Sequence, residues 1–227
     1  MSEQKLKEII RDLLPLLEGI PAGDWVLIGG YATALLTEGA DALDGAEFGW
    51  FGRTTGDIDL LVRTRRQKEM ILAEAHGSPV HVICIDGMED SVLFDRELFE
   101  GVLDSTREAG DKKLNGIFLP GPAHLIRSKL NRSGIGRRES ARGRDMADIV
   151  TILLKLDRSS LQSSFDSLAE TAVSVVSELK QLFRHDASPG SIALADECDL
   201  DPSSMDFILL KAEIDRTLAE LTERAEA

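Results

Sequence analysis

Two short stretches constrain this chain more than any other part of it. The first is Val26-Leu27-Ile28-Gly29-Gly30-Tyr31-Ala32, an apolar run that ends in two glycines. The second is Gly56-Asp57-Ile58-Asp59-Leu60-Leu61-Val62, an apolar run that opens with two carboxylates one residue apart. Each run has the length and composition of a buried strand, and a strand that meets Gly-Gly before a helical pattern marks a tight strand-to-helix corner. Residues i and i+2 of a strand point to one face, roughly 6.5–7 Å apart along the chain. Asp57 and Asp59 are therefore expected to reach one site together, an arrangement that suits a divalent cation. Gly29 and Gly30 would bring bare backbone N–H groups to a helix start, where phosphate is readily held.

Taken alone, an Asp-x-Asp is more often a solvated turn than a metal site. The glycine corner upstream favours the metal reading here. Mg²⁺ is a hard cation held by one or two carboxylates together with substrate phosphates, so Asp57 and Asp59 are its expected ligands. Metal beside a phosphate cradle points toward phosphoryl or nucleotidyl transfer. Arg53 and Thr55, just ahead of the acids, are candidate phosphate contacts, Arg by a bidentate grip and Thr by its hydroxyl. A loop turn and a surface charge explain the same two residues equally well.

The order of elements gives a fold class. Helical spacing covers 3–18, a short strand 25–28, a helix 31–36, a strand 57–62, a helix 65–75 and a strand 80–85. Strand-like pieces are expected around 101–107 and 114–119. Pro120-Gly121-Pro122 is the clearest boundary, and beyond it the pattern is helical over 122–131, 145–156, 160–183 and 205–224. A Ser-, Pro- and Asp-rich loop is expected over 186–204. Strands mixed with helices, followed by helices alone, predict an α+β protein. The expected domains are an α/β core over 1–121, with a small mixed sheet flanked by helices, and a C-terminal helical bundle over 122–227.

The 227 residues carry a formal net charge of -14 and 43% hydrophobic residues, as a water-soluble globular chain does. No apolar run approaches membrane-spanning length, and Met1-Ser2-Glu3-Gln4-Lys5 does not read as a secretory leader. Two cysteines, Cys84 and Cys198, make neither a disulfide framework nor a zinc set. A cytoplasmic location without membrane contact is the expectation. The acidic total opposes nucleic-acid binding, but between His124 and Arg144 seven cations (Arg127, Lys129, Arg132, Arg137, Arg138, Arg142 and Arg144) face the single acid Glu139. That segment, 124–144, is the candidate RNA contact. A solvated run of charge accounts for it too.

These motifs resemble the nucleotidyltransferase superfamily of polymerase-β-like proteins, whose signature is an apolar strand, Gly-Gly or Gly-Ser, then Asp-x-Asp on the next strand. More narrowly, Arg53-Thr54-Thr55-Gly56-Asp57-Ile58-Asp59 looks like the second motif of the AbiEii/MenT-type branch. Leu125-Ile126-Arg127-Ser128-Lys129-Leu130 and Arg144-Asp145-Met146-Ala147-Asp148-Ile149 match its later helical motif in order, so the resemblance spans about 24–155. It implies a nucleotidyltransferase core that binds an NTP and Mg²⁺. Gly29 and Gly30 would hold triphosphate, Asp57 and Asp59 the metal. Lys129 would touch nucleotide phosphates, and Asp145 would be a further acid facing the site and a candidate base. Read from the residues alone, Lys129 is a solvated lysine, and Asp145 with Asp148 an acidic pair on one helix face.

One position departs from the family pattern. Many members carry a third carboxylate in mid-strand, where this chain has Val80-His81-Val82-Ile83. His81 stands in the place of the acid, either as a base or as a partly buried structural histidine. Asp86, at the end of the same strand, is the nearest substitute as a third metal ligand. Three functions follow. The first is Mg²⁺-dependent transfer of a nucleoside monophosphate from an NTP to an acceptor, with RNA such as tRNA favoured. The second is a catalytically inactive binding module of the same fold. The third is a protein-interaction module acting through the acidic C-terminal helices, where Met205, Ile208, Leu209, Ala212, Ile214, Leu218 and Leu221 recur near helical spacing.

Overall fold

Trp25–Ile28 forms strand β1, Ile58–Val62 strand β2 and Val80–Cys84 strand β3, and the three make one sheet in the order β1-β2-β3. The chain is described here from a computed structural model over residues 3–43, 57–75, 77–87, 95–110, 114–132 and 139–225. Strands β1 and β2 are antiparallel, with Ile28 opposite Asp59; β2 and β3 are parallel, with Asp59 beside His81. Parallel neighbours need a crossover, and helix α3 (Arg65–Ala75) supplies it. Its start is a reciprocal capping box. Thr64 N–H donates to Gln67 Oε1 at 2.8 Å, and Gln67 N–H donates to Thr64 Oγ1 at 3.3 Å.

Helix α1 (Glu3–Leu17) precedes the sheet and packs on α3. Helix α2 (Gly29–Glu38) leaves β1 with no intervening loop and runs into a 3₁₀ turn over Gly39–Leu43. Val26, Ile28, Leu61 and Ile85 form one face of the sheet and are buried against Phe99, Val102 and Leu103 of helix α4 (Arg96–Asp104). A two-stranded ribbon, β4 (Arg107–Glu108) with β5 (Phe118–Leu119), follows. Phe118 meets Trp25 edge to face, with ring centroids 5.3 Å apart.

The expected strand around 101–107 is mostly helix. Asp95 accepts a hydrogen bond from Leu98 N–H and starts α4, and its buried residues 98, 99, 102 and 103 recur with a helical period. Only Arg107 and Glu108 pair as strand.

Two compact units divide the chain, 1–128 and 129–227. Helix α5 (Pro122–Arg132) spans the division. Among its described residues the second unit has helices and connecting turns but no strand: α6 (Glu139–Lys155), α7 (Arg158–Asp166), α8 (Thr171–Leu182), α9 (Pro189–Glu197) and α10 (Met205–Ala225). The expected helix over 160–183 is two helices, broken where Ala169 takes φ +49°. The expected loop over 186–204 contains α9, with Pro189 at its first turn. The protein is thus α+β, with small mixed sheets and mostly helix. No described helix is long and apolar enough to cross a membrane.

Candidate metal centre

The alternation of β2 puts Asp57, Asp59 and Leu61 on one face, and that of β3 puts His81, Ile83 and Ile85 on the same face. Leu61 and Ile85 lie in the core formed with α4. The two acids and the histidine continue that face beyond the apolar core. Their exposure rises outward: the Asp59 side chain is 18% exposed, Asp57 42% and His81 66%.

His81 Nδ1 lies 3.3 Å from Asp57 Oδ2 and 3.4 Å from Asp59 Oδ1. One donor atom from each of the three side chains falls within 4.8 Å of the others. The expected pair of acids does converge, and its third partner is His81. That residue is an exposed imidazole between two carboxylates and not a partly buried structural histidine. Asp86 is five residues further along, at the opposite end of β3, roughly 16 Å away at the rise of a strand. Strand pairing was the signal for His81. A helix between two strands implies parallel pairing, and in that register Asp59 and His81 are neighbours on one face.

Gly29 and Gly30 form the strand-to-helix corner and open α2. Gly29 has φ +75°, in the left-handed region, and a Cβ built on it would lie 2.2 Å from Asp59 Oδ2. The glycine therefore makes room for the Asp59 carboxylate. Ile28, at the N-cap, has no side-chain acceptor, so the first turn of α2 is presented through backbone. Thr33 Oγ1 donates to the Gly29 carbonyl at 3.2 Å and ties the second turn to the corner.

Lys129 and Asp145 belong to the second unit. Lys129 is not a solvated lysine: its side chain is 2% exposed, and its Nζ lies 2.5 Å from Asp148 Oδ2 and 3.6 Å from Asp145 Oδ1. An ammonium buried that deeply requires paired carboxylates, and α6 supplies both from one face. Asp145 and Asp148 thus flank Lys129. Arg53 and Thr55 lie outside the described residues, as do residues 133–138 of the basic segment. Of the rest of that segment, Arg144 is exposed and Arg127 half-buried.

Two carboxylates and one imidazole on a single face fit a divalent cation by donor type and by spacing. Oxygen donors suit Mg²⁺, and the nitrogen suits a transition ion. Such a centre can hold a polyphosphate against the start of α2. No protein-family profile, no curated protein and no solved structure matches this chain.

Proposed function

We propose that the chain is a metal-dependent nucleotidyltransferase with a polymerase-β-like core, moving a nucleoside monophosphate from an NTP to an acceptor hydroxyl, RNA such as tRNA being favoured. The observation that carries the reading is the convergence of Asp57, Asp59 and His81 beside the glycine corner at the start of α2. Asp57 and Asp59 hold the divalent ion, Mg²⁺ on the family resemblance. Bound there, the ion would supply charge neutralisation at the phosphates and at the departing pyrophosphate. Gly29 keeps Asp59 seated, and the backbone amides of the first turn of α2 orient the phosphates. The acceptor oxygen bonds to the α-phosphorus, the bond from that phosphorus to the pyrophosphate oxygen breaks, and the hydroxyl proton leaves to solvent. On the resemblance, Arg53 and Thr55 add phosphate contacts. The basic segment 124–144 carries the RNA.

Incubation with labelled NTPs, divalent metal and total RNA tests this. Transfer of label that falls at least 100-fold in Asp59→Asn is the expected result. No transfer to any acceptor, or transfer undiminished in Asp59→Asn, overturns it. Label transferred to RNA but insensitive to substitution of Arg137 and Arg138 would remove the basic segment as the RNA contact, and label on protein or small molecules instead would move the acceptor to another class.

A second reading draws on His81 in place of a third acid: the same fold binding NTP without turnover. It predicts nucleotide binding by calorimetry with no product in any acceptor screen. A saturable, metal-dependent rate eliminates it.

A further inference from the structure

We propose that His81 is a metal ligand through Nδ1, and that the Asp57–Asp59–His81 centre selects a first-row divalent transition ion such as Mn²⁺ over Mg²⁺. The inference deepens the nucleotidyltransferase reading and rests on it for the use of the ion; the metal preference itself follows from the donor set.

Two ligands in adjacent positions around one ion, each about 2.1 Å from it, stand about 3.0 Å apart in an octahedron and about 3.4 Å apart in a tetrahedron. The two contacts of His81 Nδ1, 3.3 Å to Asp57 and 3.4 Å to Asp59, fall at that spacing with both carboxylates at once. An ion placed among the three atoms would be ligated from the sheet side. The position of the ring has no packing cause: at 66% exposure, His81 fills no cavity in the core. The missing side chain of Gly29 leaves the space that the Asp59 carboxylate occupies beside the site.

Chemistry then decides between ions. Mg²⁺ demands oxygen ligands and keeps much of its water, and imidazole is a poor replacement for either. Mn²⁺ and the later first-row ions accept imidazole together with carboxylate, with affinity rising along the series. An Asp–Asp–Asp set would serve Mg²⁺ best; the imidazole of an Asp–Asp–His set favours an ion that accepts nitrogen. A surface ion pair between a protonated histidine and the two acids is the competing account of the same distances, and it predicts no metal–nitrogen bond.

The test uses the full chain, stripped of metal by chelation and titrated with MnCl₂ and MgCl₂ by calorimetry. Pulsed electron paramagnetic resonance of the Mn²⁺-loaded protein reads nitrogen bound directly to the ion. Expected are Mn²⁺ bound at least tenfold more tightly than Mg²⁺, and a ¹⁴N coupling that disappears in His81→Asp. The same variant should lower the Mn²⁺-to-Mg²⁺ affinity ratio at least tenfold. Absence of the coupling in the wild-type protein overturns the proposal, and that measurement depends on no variant. A coupling that survives His81→Asp, or an unchanged affinity ratio, overturns it as well. Coupling and selectivity without nucleotide transfer would leave this centre standing and remove the transferase reading. Transfer supported equally by Mg²⁺, without nitrogen coupling, would do the reverse.

Discussion

Gly29 does two things that a larger residue cannot do. It holds φ +75°, and it leaves the space that Asp59 Oδ2 occupies. Gly29→Ala should therefore cost roughly 1–2 kcal/mol of stability from backbone strain. It should also displace the Asp59 carboxylate and weaken metal binding at least tenfold, read by the same calorimetry; unchanged affinity would show that Asp59 is not positioned by this contact. The convergence of Asp57 and Asp59 was legible in the sequence because a strand has period 2. The contact of Gly29 with Asp59 was not, because it depends on the antiparallel register that sets Ile28 opposite Asp59. His124 makes a pH prediction in the same unit. Burial, then the nearby cations Arg127 and Arg107, hold its imidazole below the usual histidine range, and its buried Nδ1 has no hydrogen-bond partner among the described residues. Above about pH 6.5, the ordinary value, the ring is neutral folded or unfolded and its contribution is complete. As pH falls from there through the lower folded value, the unfolded chain takes up the proton first and stability is lost. Urea midpoints of wild type should thus fall more steeply between pH 7 and 5 than those of His124→Gln, and parallel slopes would contradict the buried, uncharged ring.

Elements built on a strong local signal were legible, and those decided by packing were not. The boundaries of β1 and α3 follow from an apolar run and from the Thr64–Gln67 capping box. Helix α4 was hidden because Val102 and Leu103 sit in a short apolar stretch that suits strand or helix; the Asp95 cap and the burial of Leu98 and Phe99 decide for helix. Asp95→Ala should cost about 1 kcal/mol, measured by chemical denaturation of the full chain, and a cost near zero would mean that core packing alone holds α4. Helix α9 was concealed by the Ser-, Pro- and Asp-rich composition around it. What fixes it is its fit to α6 at Gly143, where a Cβ would come 2.9 Å from Glu197 Cβ and 3.0 Å from the carbonyl of Ala193. Gly143→Ala, favourable for an isolated helix by about 1 kcal/mol, should instead destabilise the protein by roughly 1–3 kcal/mol as α6 and α9 are forced apart.

At the scale of the molecule, α10 separates packing from partner binding. Its inward residues Phe207, Leu210, Ile214, Leu218 and Leu221 are buried, whereas Met205, Ile208 and Leu209 are 67%, 48% and 58% exposed. The stripe legible in the sequence mixed these two faces, because apolar spacing alone does not say which side of a helix meets α6, α7 and α8. Burying a large apolar side chain contributes about 1.5–3 kcal/mol, so the five inward residues together rival the roughly 5–15 kcal/mol by which a whole domain is stable. Removal of residues 186–227 should therefore unfold the second unit beyond the segment deleted. Far-UV circular dichroism should lose more helix than α9 and α10 contain, and limited proteolysis should digest α6 to α8. Replacing Met205, Ile208 and Leu209 with Gln should leave both the spectrum and the melting temperature unchanged, because those side chains already face water. The opposite pattern would return α10 to a partner-binding role: a truncated chain that keeps α6 to α8 folded, and a Gln variant whose mass in solution falls by a whole subunit.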